Sequence, residues 1–443
     1  MRALSTLLLF LFLCLTVPSL AGPGPEEALR LLQEYIRIPS VNPPAETTAA
    51  AAFLQRVLER EGIEVRLYAS APGKVNLLAR LPGKRREGAL MLLHHMDVVP
   101  ADAARWPVDP FSGEVRDGMV YGRGAVDMKS VGIMQLCTMI ALKREGAELE
   151  RDLLLLATCD EETGGEMGAR WMLQHHWQDL SPACVLDEGG FGARDLLSGQ
   201  GKLVFGISVA EKKILWARLV ASGTSGHGSQ PVHDNANVRL MESLGRLDGF
   251  MKARSGQPSR LVEELRARVG GLADNKFTRA IQADTVSLTS LRSGVGDPPK
   301  ANVIPSRAEA TLDFRLLPDT DLEAFVADLG RLWADCPWLA FEPIYASGAS
   351  PVSPYDTPLF RALEASLKTE YPEAVVTPYL VPFGTDSNAI RQTGAACYGF
   401  GPAVLDSSIV ASMHSDAERL PLDQIAPGLR IYHRAVRSYL MEK

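Results

Sequence analysis

Cysteine is sparse in this chain. There are six in 443 residues, with no Cys-x-x-Cys pair. Five of them, Cys137, Cys159, Cys184, Cys336 and Cys397, lie beyond the N-terminal apolar run, widely spaced and odd in number. That argues against a disulfide framework or a zinc–thiolate site and predicts mostly buried free thiols. Basic runs are also lacking. The longest is Lys84-Arg85-Arg86, acids outnumber bases 53 to 46, and the net charge is −7, so nucleic acid is excluded as a partner. There is no internal repeat, low-complexity linker or Asn-x-Ser/Thr sequon. The N-terminal apolar run, Leu7 to Leu15, falls short of the roughly 20 residues that a membrane-spanning helix needs. With Arg2 before it and Ser19-Leu20-Ala21 after it, it reads as a signal peptide over 1–21. The expectation is export to the periplasm or the medium, with an uncleaved anchor as the alternative.

What is present is a long alternation of strand and helix patterns, in a chain long enough for more than one domain. Helical periodicity covers 26–37 and about 45–61, with strand-like runs at 63–69, 75–81 and 89–95. The run ALMLLHH at 89–95 is almost wholly apolar, as a strand buried on both faces should be. A helix at about 129–145, a strand at 153–159, a helix near 165–175 and a strand at 183–186 follow. This order predicts an α/β fold with a doubly wound, mostly parallel sheet. After about 211 the order becomes βαββαβ, with strands at 214–222, 286–292, 307–315 and 340–346 and a charged helical insertion at 251–280. That is the ferredoxin-like α+β unit. α/β order resumes from about 350. The predicted organisation is a catalytic domain formed by 22–211 and 349–443, with a lid or dimerisation domain inserted at 212–348.

Five stretches put acids or histidines just after apolar runs or in glycine-rich turns: LLHHMDVVP (92–100), YGRGAVDMKS (121–130), CDEETGG (159–165), VLDEGG (185–190) and MHSDAER (413–419). Open α/β sheets collect their sites at the carboxyl ends of strands, and imidazole with carboxylate is the donor set of a divalent zinc pair. His95 and Asp97 stand two apart on an extended segment and point the same way, so Asp97 can accept the second ring N–H of His95. Asp127 precedes a helix, and a carboxylate there can bridge two ions, one oxygen to each. Glu161 and Glu162 are adjacent, so one can bind metal while the other faces substrate. Each stretch taken alone also has a purely structural explanation, such as a helix N-terminal carboxylate for Asp127 or a solvated acidic turn for 160–162.

Together the motifs HxDVVP, GRGxxDxK, DEExGG, the later Asp-Glu-Gly, SGHGSQP and the late His before Glu-Arg resemble the zinc aminoacylase/carboxypeptidase family. That family includes aminoacylase, bacterial glutamate carboxypeptidase and succinyl-diaminopimelate desuccinylase. WPVDPFSGEV (106–115) and VAEKK (209–213) look most like the branch of carboxypeptidase S and the N-fatty-acyl-amino-acid hydrolases. Met128 departs from the acid that many relatives place after the bridging Asp. The resemblance implies two Zn2+ ions, with Co2+ or Mn2+ as substitutes. His95 and Asp187 would hold one ion, Glu162 and His414 the other, with Asp127 between them and a cis bond after it. It further implies Glu161 as general base, Asp97 as the group orienting His95, and His227 reaching a partner subunit's site in a homodimer. Asn302 and Arg315 would contact the substrate carboxylate, and Gly384 and Thr385 would form a substrate-side turn.

The implied activity is hydrolysis of an amide bond next to a free α-carboxylate in a small molecule or short peptide, by a metallocarboxypeptidase or an N-acyl-amino-acid amidohydrolase. A second class of reading is an inactive binding or regulatory protein on the same scaffold, against which the intact Glu161 argues. A third is a deacylase with no carboxylate requirement, against which Arg315 argues.

Overall fold

The computed structural model describes residues 22–254 and 259–442. The expected signal segment, 1–21, lies outside the described residues. The larger sheet runs, in spatial order, Glu64–Ala71, Lys74–Leu81, Leu153–Thr158, Ala89–His95, Pro182–Asp187, Ala396–Gly399, Val204–Glu211 and Val375–Val381. Its central strands, from Leu153–Thr158 to Ala396–Gly399, pair in parallel, and the strands at the Glu64–Ala71 edge pair antiparallel.

The period of two sorts each central strand between two cores. Leu90, Leu92 and Leu155 face the helices Pro25–Ile36, Lys129–Arg144 and Ile425–Met441. Met91, Leu93 and Leu156 face the helix Ala169–Leu180 and the short helix Ser387–Arg391. Burial on both faces explains the unbroken apolar run at 89–93, and the sheet is doubly wound as expected. One long strand of the larger sheet escaped the sequence patterns: Val204–Glu211 is buried along its whole length and pairs with Val375–Val381. Gly206 and Ser208 interrupt its apolar run, and Gly206 is needed because the Tyr379 ring lies 2.7 Å from where a Cβ would be.

The smaller sheet runs Thr285–Ser293, Arg307–Leu316, Lys213–Ser222, Leu339–Ala346, all antiparallel. With helices Ala236–Arg254 and Leu322–Leu332 it is the expected ferredoxin-like unit. Leu215, Ala217, Leu219 and Ala221 pack against those helices, with Leu240, Leu247, Phe325 and Leu329 opposite them. The alternate positions therefore turn Ile214, Trp216 and Arg315 to the other face.

The helical insertion does not stay with this unit. Helix Arg260–Val269 and helix Lys276–Gln282 bury Leu261, Val262, Leu265, Val269 and Ile281 in the larger core. Phe277 stacks on Tyr379 of the larger sheet. The span 212–348 thus divides between the two cores, because the apolar stripe of this insertion fits the larger one. The described cysteines are free and buried, as expected.

Candidate active site

Three neighbouring parallel strands end together. Leu153–Thr158 leads to Glu161 and Glu162, Ala89–His95 ends on His95, and Pro182–Asp187 leads to Glu188. Two loops bring Asp127 and His414 above these ends. The Asp127 carboxylate lies between the two histidines, with Oδ1 3.1 Å from His95 Nε2 and Oδ2 3.0 Å from His414 Nε2. Glu162 Oε2 stands 3.3 Å from His414 Nε2, and Glu188 Oε1 stands 3.8 Å from His95 Nε2. Two groups of ligand atoms result, His95–Asp127–Glu188 and Asp127–Glu162–His414. The bond between Asp127 and Met128 is cis, in agreement with the resemblance.

The structure places one residue of the expected ligand set apart from the others. Asp187 is not in either group; its carboxylate accepts from the Ser387 hydroxyl at 2.6 Å and the Ser387 N–H at 3.1 Å. As the last strand residue it faces the same side as Val185, toward the Ser387–Arg391 helix. Glu188, one position past the strand and one methylene longer, takes the place beside His95. The adjacent acids of VLDEGG carried the signal, but only the strand's end position decides between them.

The Asp97 expectation also changes in its atoms. The Nδ1 of His95 is 2.8 Å from the backbone carbonyl of Asp97 and 3.7 Å from its carboxylate. The carboxylate instead accepts from the backbone N–H groups of Glu161 and Glu162, each at 3.2 Å, and from Asn42 at 2.8 Å. Asp97 therefore fixes the turn that presents the two glutamates as well as the imidazole tautomer. Glu418, fully buried, does the same for Asp127: it accepts from the N–H groups of Gly124, Val126 and Asp127 and from Arg123. Both supports are invisible to spacing because their partners lie far away in sequence.

Electrostatics test whether cations suit the site. Burial pushes the carboxyls of Glu161 and Glu188 well above the ordinary glutamate range, and neighbouring carboxylates add to it. The Asp127 and Glu162 carboxylates push the His414 imidazole up to about 10. Glu162 Oε1 is buried with no hydrogen-bond partner among the described residues. A crowd of carboxylates, two imidazoles and one orphaned buried oxygen fit a pair of divalent ions. His94, by contrast, is pushed down to about 4 by burial and packs between Tyr35 and Gln135, a structural residue.

Beside the ligand groups lies a cavity of about 180 Å³. Glu161, Glu162 and His414 form its floor, Arg315, Gly384 and Thr385 line it too, and Ile214, Trp216 and Tyr345 supply an apolar wall. The Arg315 guanidinium is held by Asp313 at 2.8 Å, and Arg170 stands in the same wall beside the Tyr345 hydroxyl at 3.3 Å. Buried Glu211 also lines the cavity; it accepts from Thr385 at 2.7 Å and from Arg391 at 3.1 Å, tying the Gly384–Thr385 turn to the end of its strand. Neither Arg170 nor Glu211 was singled out by sequence; VAEKK held the signal for Glu211. His227 and Asn302 are not brought to this cavity. His227 is exposed and pairs with Val303 in a two-residue ribbon, and the Asn302 carbonyl accepts from Gly228 next to it.

A profile of the peptidase family M20/M25/M40 matches residues 91–438. The chain belongs to that family. It is 29% identical over 423 residues to aminoacylase-1 of Sus scrofa, covering 92% of this chain and 94% of the relative. It is 27% identical over 453 residues to the N-fatty-acyl-amino acid synthase/hydrolase PM20D1 of Xenopus tropicalis, covering 95% and 88%. Among solved structures, an M20 family metallo-carboxypeptidase from Sulfolobus solfataricus matches with a TM-score of 0.74 at 20% identity, over 94% of this chain and all of that one. An identity that low speaks for the fold alone. As an M20/M25/M40 chain this protein is a metal-dependent hydrolase, with a catalytic unit and a lid unit.

Proposed function

We propose that this hydrolase holds two zinc ions and cleaves the amide bond of N-acyl-amino acids, next to the free α-carboxylate. The observation that carries the reading is the position of Asp127, with one carboxylate oxygen toward each histidine. His95, Asp127 and Glu188 would hold one ion, and Asp127, Glu162 and His414 the other. Bound there, the ions supply Lewis acidity and a water of lowered pKa. Glu161, in the cavity floor and free of both ligand groups, takes the proton of the attacking water and hands it to the leaving amine. Arg315 offers its planar fork to the substrate carboxylate. The apolar wall of Ile214, Trp216 and Tyr345 favours a leaving amino acid with an apolar side chain.

The choice of N-acyl-amino acids over dipeptides rests on the aminoacylases that match nearly the full length of both chains. We extend the reading to a homodimer in which His227 and Asn302 serve a partner's cavity, since neither reaches its own, and to export through the 1–21 segment. The test is a panel of N-acyl-amino acids and dipeptides, with and without zinc, alongside metal analysis. Zinc-dependent release of amino acids from the acyl series and bound metal near two per chain are expected. Dipeptide cleavage alone, or full turnover after chelation, would refute the reading.

A further inference from the structure

Lys212 is fully buried, although it belongs neither to the ligand groups nor to the cavity beside them. It stands where the chain leaves the larger sheet, between the end of Val204–Glu211 and the start of Lys213–Ser222. Burying an ammonium is costly unless its protons find acceptors, so the partners of Lys212 carry information. It donates to three neutral oxygens: the carbonyls of Ala280 at 2.9 Å and Ala283 at 2.7 Å, and the Thr285 hydroxyl at 3.0 Å. These partners belong to different units. Ala280 lies in the last turn of helix Lys276–Gln282, which is fixed to the larger core by Ile281 and by Phe277 on Tyr379. Thr285 opens the strand Thr285–Ser293 of the smaller sheet.

Thr285 is also the cross-strand partner of Arg315, and its hydroxyl donates to the Arg315 carbonyl at 3.5 Å. On the other side Arg315 pairs with Ile214, two residues from Lys212. Asp284 accepts from the Leu317 N–H at 2.7 Å, just past the same strand. An unbroken line of contacts therefore runs from the larger core through Lys212 and Thr285 to the backbone of Arg315. Arg315 belongs to the smaller unit, whereas Glu161 and His414 belong to the larger one, so the span of the cavity is set where the units join. We propose that Lys212 is a positioning residue, which holds the Arg315 guanidinium at the height over the cavity floor where it meets the substrate carboxylate. Asp313 fixes the direction of that guanidinium, and Lys212 fixes the strand that carries it. The proposal rests on the role given to Arg315 above.

The experiment measures steady-state hydrolysis of N-acetyl-L-leucine by the zinc-loaded full chain and its variants. Lys212→Met keeps most of the side chain and removes the donors. It should raise KM about ten-fold or more while kcat moves far less, because the carboxylate contact is lost from substrate and transition state alike. In an Arg315→Ala chain the same change should cost no more than about two-fold in kcat/KM, since no guanidinium is left to place. Thr285→Val removes only the hydroxyl between the two residues. It should raise KM less, with the same dependence on Arg315, and it decides the matter if the buried methionine prevents folding. Equal losses with and without Arg315, or an unmoved KM in the folded variant, overturn the proposal while leaving Arg315 in its role. An Arg315→Ala chain with the KM of the unaltered enzyme would overturn the reading of Arg315 and the proposal with it.

Discussion

Adjacent acids recur at this site, and each pair is split by geometry. Glu161 and Glu162 sit on one turn, yet only Glu162 reaches a ligand group. Glu161→Ala should therefore keep near-full metal content and lose turnover by several orders of magnitude, while Glu162→Ala should lose metal. Metal analysis beside steady-state rates checks both, and loss of metal from the Glu161 variant would contradict the assignment. Asp187 and Glu188 are the sharper case. Glu188→Ala should remove one ion and abolish activity. Asp187→Ala should retain both ions but destabilise the fold, because it strips the Ser387 hydroxyl and N–H of a buried acceptor, a loss of about 1–3 kcal/mol. Thermal unfolding and metal content together separate the two outcomes.

At the scale of elements, the site depends on turns clamped from afar. Glu418 grips the 124–127 turn through three backbone N–H groups and Arg123, which is itself 2% exposed. Breaking a buried pair of this kind costs about 3–5 kcal/mol, so Glu418→Ala should lower stability by that order and loosen Asp127 enough to weaken metal binding. Glu418→Gln, which keeps an acceptor oxygen, should lose less of both; equal losses would mean the clamp is not geometric. The same elements show what a single sequence reveals. Strands with continuous apolar runs, such as 89–95 and 153–158, and the βαββαβ order were legible because burial on two faces or one leaves a clean period. Val204–Glu211 was not, since Gly206 makes room for a ring from a distant strand. His95, Asp127, Glu162 and His414 were legible as a set only through the family resemblance of the motifs that carry them. Glu188, Glu211 and Glu418 depend on which way a strand end turns and on partners that lie from about ninety to almost three hundred residues away, which spacing does not encode.

For the molecule as a whole, the decisive residue is His227. It lies on the smaller unit, exposed, beside Asn302, and does not line the cavity beside the ligand groups of its own chain. The helical insertion is committed elsewhere, with Leu265 and Val269 packed in the larger core. A two-fold pairing of smaller units would present each His227 to the other chain, and the isologous geometry of such dimers makes the exchange reciprocal. Closure of the lid units over substrate would then complete each site with a donor for the developing oxyanion, worth roughly 2.7–4 kcal/mol in other hydrolases. Single variants cannot distinguish this from action within one chain, because both models predict a loss of about 100- to 1000-fold in kcat for His227→Ala. Mixing subunits can. A Glu161→Ala chain combined with a His227→Ala chain gives mixed dimers in which one site has both an intact Glu161 and a neighbour's intact His227. Activity should return to about half that of the unaltered enzyme per mixed dimer, whereas each parent stays inactive. If His227 acts in its own chain, every mixed dimer lacks a complete site and no activity returns.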